Sequence, residues 1–263
     1  MHSAAPQIIP AELLLSAYRS GIFPMADGRE DEDVYWVEPR ERAVIPLETF
    51  RPGRSLAKAI RHDRFRVTCD ADFAGVIAAC AAPRPGHPET WINRPIAASY
   101  RALHLAGHAH SIECWHDGER GAELVGGLYG VGFDRVFCGE SMFSRATDAS
   151  KVALAWLVAL LKAGGYRLLD CQFMTDHLAS LGAVSISREA YLARLADAVD
   201  AGPAPPLPEI YASFCAASAS AGAAEGDSAG EGAADGAAAA GAPEGTCSPP
   251  SGKLILQSLT HTS

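Results

Sequence analysis

No apolar run in the 263-residue sequence reaches the length of a membrane span. The opening MHSAAPQIIPAELLL lacks a basic stretch followed by an uninterrupted apolar one, so no secretory signal is expected and a cytoplasmic location is. The closest of the seven cysteines, Cys69 and Cys80, are separated by ten residues, which leaves no C-x-x-C and no zinc-type spacing. Several cysteines sit in apolar runs, such as Cys138 in RVFCGE and Cys171 in LLDCQF, and read as small buried hydrophobes rather than metal ligands or disulfide partners. Charge is sparse as well, at 20% of residues against 48% hydrophobic, an ordinary balance for a globular chain with a sizeable core.

The net charge of −9 argues against a nucleic-acid partner only until its distribution is read. Residues 201–263 hold six acidic groups and one Lys, leaving a mild −4 on the first 200 residues. Basic groups cluster in RPGRSLAKAIRHDRFR, where Ser55 is a candidate cap for a helix that groups Lys58, Arg61 and His62. Such a run is either an RNA-facing surface or simply a solvated face.

The pattern divides the chain into a small unit over 1–50, a main domain over 51–200 and a low-complexity tail over 201–263. The tail, rich in Ala and Gly, has too little apolar surface to offset its ordering entropy and is expected to be disordered and dispensable. In the first unit, Ala11–Ser20 has a helical pattern between Pro10 and Gly21. The main domain alternates signals: the strand FRVTC, a helix capped by Asp70, and a second helix from Pro95 to Leu105. Two strands joined at Asp117-Gly118 follow, then the strand RVFCGE, a long apolar helix over 147–162, the strand YRLLDCQ and a last amphipathic helix. This predicts an α/β (α+β) architecture with a mixed sheet flanked by helices, in an order that resembles N-acetyltransferase-like (GNAT-like) folds.

Four constellations carry candidate chemistry. In GESMFSR, Glu140 either binds a cationic group beside a pocket lined by Met142, or is a loop glutamate in a salt bridge. In LLDCQF, strand alternation predicts that Asp170 and Gln172 point together and Cys171 away, either at a site mouth or at a strand exit where polarity resumes. In TDHLASLGA, Thr175 reads as a helix cap and Gly182 as a terminator, and His177 is better read as a capping or core residue than as a base. Trp36 and Trp91 lie among polar and Pro residues. Each is either a nucleobase platform, with stacking contributing roughly 1–3 kcal/mol, or part of an inter-domain contact. An acetyltransferase would grip CoA with a Gly-rich turn, but the corresponding SRATDASK has no glycine, so CoA is not expected. The competing readings are an acetyltransferase acting on a small amine and a catalytically inert RNA-binding module.

Taken together, SGIFPM, YWVEPR, ETWINRP, GHAHSIE, LVGGLYG, FCGESMFSR, ASK, LLDCQ and DHLASLGA, in order over residues 10–195, resemble the leucyl/phenylalanyl-tRNA–protein transferase family. The resemblance implies a small N-terminal domain on an acetyltransferase-like domain, with no metal or other cofactor. It implies transfer of Leu or Phe (Met being a further fitting side chain) from aminoacyl-tRNA to the α-amine of proteins beginning with Arg or Lys, marking them for N-end-rule degradation. By motif, Asp170 and Gln172 correspond to the catalytic pair and Glu140 to the acceptor-binding acid. Trp36, Trp91, Met142, Ser144, Leu154, Leu157, Leu161 and Leu169 correspond to the aminoacyl-adenosine site, and Arg54, Lys58, Arg61 and Arg64 to the tRNA-binding surface. A monomer with no membrane partner is expected.

Overall fold

The computed structural model describes residues 7–83, 89–119, 121–226 and 249–260. Helix α1 (Ala11–Arg19) leads into a two-stranded antiparallel ribbon of β1 (Phe23–Met25) and β2 (Tyr35–Val37). The next strand, β3 (Glu41–Ile45), already belongs to the main sheet, so the seam after the small unit falls near residue 40 rather than 50. Its AVI run explains this placement, because residues 42–45 are all buried and need a partner on both faces.

Helix α2 (Arg54–Arg61) then precedes β4 (Arg66–Cys69), α3 (Phe73–Cys80) and α4 (Arg94–Leu105). The meander β5 (Ala109–Gly118), β6 (Gly121–Phe133) and β7 (Val136–Ser144) follows. Asp117 pairs with Ala122 and Gly118 with Gly121, so the reversal falls just beyond the Asp-Gly pair that predicts it. Helix α5 (Ala149–Ala163) crosses to β8 (Leu168–Asp170), which runs parallel to β7. It is followed by α6 (Asp176–Ser180), β9 (Val184–Ser187) and α7 (Arg188–Asp200). The seven strands lie in the order β4-β5-β6-β7-β8-β3-β9, all other pairs being antiparallel. The sheet separates two cores: α5 is buried against one face, while α3, α4, α1 and α7 cover the other. No helix among the described residues is long and apolar enough to cross a membrane.

Two local expectations change. Asp72, not Asp70, caps α3 by accepting from the Gly75 amide at 2.8 Å. Asp70 instead takes a left-handed backbone (φ 58°) and accepts from the Ser111 amide while pairing with His110 at 2.7 Å. Gly53, not Ser55, stands at the start of α2.

The larger correction concerns the tail. Helices α8 (Leu207–Gly226) and α9 (Gly252–Thr260) dock on α5, placing Leu207, Ile210, Cys215, Ile255 and Leu259 in the core. The Tyr211 hydroxyl donates to the Val67 carbonyl of β4 at 2.8 Å. Averaged composition hides these two short apolar periodicities, which flank the Ala/Gly tract. The tract over 227–248 lies outside the described residues.

Candidate active site

The site begins with an irregularity in the sheet. Tyr129 pairs with Ser141 and Gly130 with Gly139, so Glu140 is an extra residue in β7, a β-bulge. Gly130 permits it, since a Cβ there would lie 2.2 Å from the Cys138 carbonyl oxygen and 2.4 Å from the Phe137 ring. Beyond the bulge the alternation is reset. Cys138 and Phe143 join one core, Phe137 and Met142 pack on the other, and Glu140 turns toward the first. Gly130→Ala is expected to cost about 1–3 kcal/mol through overpacking, measured by denaturant unfolding.

Glu140 is buried, at 7% exposure, and its carboxylate is held by three hydrogen bonds. It accepts from the Tyr18 hydroxyl at 2.7 Å, the Tyr100 hydroxyl at 2.9 Å and the Gln172 amide nitrogen at 2.9 Å. Burial pushes its pKa up to about 7, opposed by the two tyrosine hydrogen bonds. The buried hydroxyl of Tyr129, pushed up by burial and by the charge of Glu140, has no hydrogen-bond partner among the described residues.

Asp170 and Gln172 do not point together. Strand β8 ends at Asp170, and Gln172 has φ 58°, so the two-residue alternation stops between them. Asp170 is completely buried and paired with Arg42 at 2.8 and 2.6 Å. Burial alone would lower the Arg42 pKa, but the hydrogen bonds and charge of Asp170 hold it raised. The guanidinium lies between the rings of Phe23 at 4.7 Å and Tyr191 at 4.4 Å, and donates to the Gly21 carbonyl at 2.9 Å. Asp170 also accepts the Gln172 backbone N–H at 2.9 Å, which fixes the turn that sends the Gln172 side chain to Glu140.

Around this network lies a cavity of about 570 Å³, mostly apolar. Met142, Leu154, Leu157 and Leu169 line it together with Leu128, Phe23 and Met25. Glu140, Gln172 and Trp91 supply polar and aromatic groups, and Phe173, Thr175, His177 and Leu178 form a further wall from the α6 region. A pocket that holds an apolar chain beside one buried acid suits a substrate with a hydrophobic side chain and a cationic neighbour.

Residues 44–196 match the model of leucyl/phenylalanyl-tRNA protein transferase, and residues 9–40 match that family's N-terminal domain. The leucyl/phenylalanyl-tRNA–protein transferase of Novosphingobium aromaticivorans is 56% identical over the whole of both chains. This chain belongs to that family.

Two more transferases of the family are similarly close. That of Rhizorhabdus wittichii is 62% identical over 71% of this chain and 74% of its own, and that of Zymomonas mobilis 60% over 73% and 70%. Of the positions that the resemblance to the transferases marks, Glu140, Gln172, Trp91, Met142, Leu154, Leu157 and Leu169 converge on the cavity. Four do not. Asp170 is sealed behind it, and Leu161 is completely buried in the core of α5. Ser144 donates to the Ala146 carbonyl at 2.8 Å and accepts from the Ser150 amide, shaping the entry to α5 rather than the cavity. Trp36 is 40% exposed and pairs with Pro24, whereas Phe23 and Met25 line the cavity; alternation therefore turns Trp36 away. Arg54, Lys58, Arg61 and Arg64 are exposed on and just beyond α2, outside the cavity. Sequence reading missed Tyr18, Tyr100, Arg42 and Tyr191, whose signal is long-range, and Cys171, which lines the cavity that alternation assigned to its neighbours.

Proposed function

We propose that the cavity is the transfer site of a cytoplasmic aminoacyltransferase that moves Leu or Phe from aminoacyl-tRNA to proteins beginning with Arg or Lys. The observation that carries this reading is the adjacency of an apolar cavity and the buried Glu140 carboxyl in one pocket. Met142, Leu154, Leu157 and Leu169 hold the aminoacyl side chain, and Trp91 stacks on the terminal nucleoside. Glu140 holds the acceptor's cationic first residue. Its hydroxyl-rich surroundings favour the ionised form once a cation arrives. The mixed sheet, with β7 and β8 parallel around α5, supports an acetyltransferase-like fold.

The acceptor's α-amine, whose ordinary pKa lies near 8, attacks the ester carbonyl. A C–N bond forms, the ester C–O bond breaks, and the proton leaves with the ribose oxygen. Gln172 donates its amide N–H to Glu140, which leaves its carbonyl oxygen to accept from the incoming amine. An amide is too weakly basic to take the proton, so Gln172 orients the nucleophile, and Asp170 is a positioning residue that acts through the Gln172 backbone. The ester is already activated, so alignment supplies most of the rate.

The deciding experiment is transfer of labelled Leu from Leu-tRNA to a protein beginning with Arg, by the purified full chain. Transfer is expected, with loss when the acceptor begins with Gly; equal transfer to both acceptors would end the acceptor assignment. A narrower cavity tests the donor side. Leu157→Phe is expected to lower kcat/KM for Phe-tRNA about tenfold more than for Leu-tRNA, measured in parallel transfer assays.

A further inference from the structure

Helix α2 is short, and its own sequence does little to hold it. Arg54 and Lys58 stand four apart and Lys58 and Arg61 three apart, so like charges face each other along one side. Among the described residues no ion pair joins Arg54, Lys58, Arg61 or Arg64 to a carboxylate. Eight residues are also too few for a helix to persist without tertiary support.

The residue that ends α2 is unusual for that place. The Asp63 amide bonds to the Ile60 carbonyl and the Arg64 amide to the Ala59 carbonyl, which is a Schellman closure with Asp63 in the left-handed position (φ 46°). A glycine would carry less strain there, and a carboxylate beside the negative end of a helix is unfavourable. The acid has another use. Asp63 Oδ1 accepts the Gly252 N–H at 2.6 Å, satisfying a free donor at the start of α9. Gly252 is pressed so closely on α2 that a Cβ would lie 1.8 Å from the Ile60 carbonyl oxygen. Along α9, Ile255 and Leu259 are completely buried, and the Leu259 carbonyl accepts from Lys162 of α5 at 3.2 Å. Both family matches end by residue 196, so this contact comes from a part of the chain that they do not describe.

We propose that α9 is a brace that holds α2 in place, so that this chain's affinity for tRNA depends on its C-terminal segment. The inference rests on the reading of Arg54, Lys58, Arg61 and Arg64 as phosphate-contacting residues. With α9 docked, the four cations form a fixed array whose combined contacts set the affinity and its salt dependence. With α9 released, α2 loses its cover on one side, and fewer of those contacts form together.

The test uses the full chain with Ile255→Ser and Leu259→Ser, which undocks α9 without adding charge. Undocking is verified by hydrogen exchange of the α9 amides. Leu-tRNA binding is expected to weaken about tenfold, with a shallower dependence on salt. Transfer from leucyl-adenosine, a donor with no acceptor-stem phosphates, is expected to stay unchanged. Unchanged tRNA affinity with α9 undocked would overturn the brace, as would an equal loss with both donors, which would mark α9 as plain core. A second variant, Lys58→Glu with Arg61→Glu, separates the two readings. If it leaves tRNA affinity intact, the assignment of α2 to tRNA fails and the brace with it. If it weakens binding while the α9 variant does not, only the brace falls.

Discussion

Asp170→Ala is expected to lower the stability of the protein by about 3–5 kcal/mol, because it leaves a buried guanidinium without its counter-ion. For a chain of this size that corresponds to a fall in Tm of about 5–10 °C. Arg42 is 2% exposed and cannot move its charge to water without opening the layer between β3 and α7. The same substitution strips the Tyr191 hydroxyl and the Gln172 amide of their acceptor, at 3.1 and 2.9 Å. Loss of transfer in this variant is therefore expected to accompany a loss of folded protein and of the Gln172 turn. Calorimetry and transfer at a temperature where the variant is folded separate the two. The double variant Arg42→Met, Asp170→Leu removes both charges and is expected to recover stability relative to Asp170→Ala, as replacement of buried ion pairs by apolar residues often does. It still lacks an acceptor for the Gln172 N–H, so transfer is expected to stay low. A parental Tm for Asp170→Ala, with transfer abolished, would instead place Asp170 in direct chemistry.

That pair also shows what a linear reading can and cannot find. The polar cluster at the end of an apolar strand was legible, and so were the helices α1, α4 and α5, because apolar spacing and punctuation such as Pro10 and Gly21 are local signals. The direction of Gln172 was not legible, since it depends on a left-handed backbone at a non-glycine residue, whose amide is held by Asp170. Nor was the environment of Glu140. Its partners Tyr18 and Tyr100 lie 122 and 40 positions away and arrive on helices whose tyrosines read as ordinary core residues.

The bulge at Glu140 belongs to the same class. Two glycines in register across β6 and β7 are compatible with a regular ladder, and only the close approach at Gly130 fixes the insertion. In the tail, composition misled for a different reason. A few buried apolar residues at helical spacing are enough to dock a segment on an existing face, even when the surrounding tract is Ala and Gly. A docking helix needs a stripe rather than an apolar average.

Glu140→Gln is expected to be at least as stable as the parent above pH 7, yet to lose about 100-fold in kcat/KM toward acceptors beginning with Arg or Lys. The stability half follows from the raised pKa of about 7, set by burial and moderated by the Tyr18 and Tyr100 hydroxyls, with Asp170 raising it and Arg42 lowering it. An unfolded glutamate titrates near 4.3, so between roughly pH 4 and 7 the native state binds the extra proton. The contribution of this group is thus fully present below the unfolded pKa and is lost as pH rises through about 7, amounting to about 3 kcal/mol in order of magnitude. A glutamine avoids that cost, since its amide oxygen still accepts from a tyrosine. Glu113, on β5, is also raised to about 7 by burial, but it is common to both proteins and cancels in their difference. The functional half has the opposite sign. A cationic acceptor needs the ionised carboxyl, so the parental KM for the acceptor is expected to improve as pH rises through about 7, whereas the variant lacks that step. Melting curves and acceptor titrations over pH 5.5–8.5 (a range spanning about one and a half pH units on either side of the raised value) read both halves. A glutamine variant that transfers to an Arg-initiated protein as well as the parent would remove the anion from the account of acceptor choice.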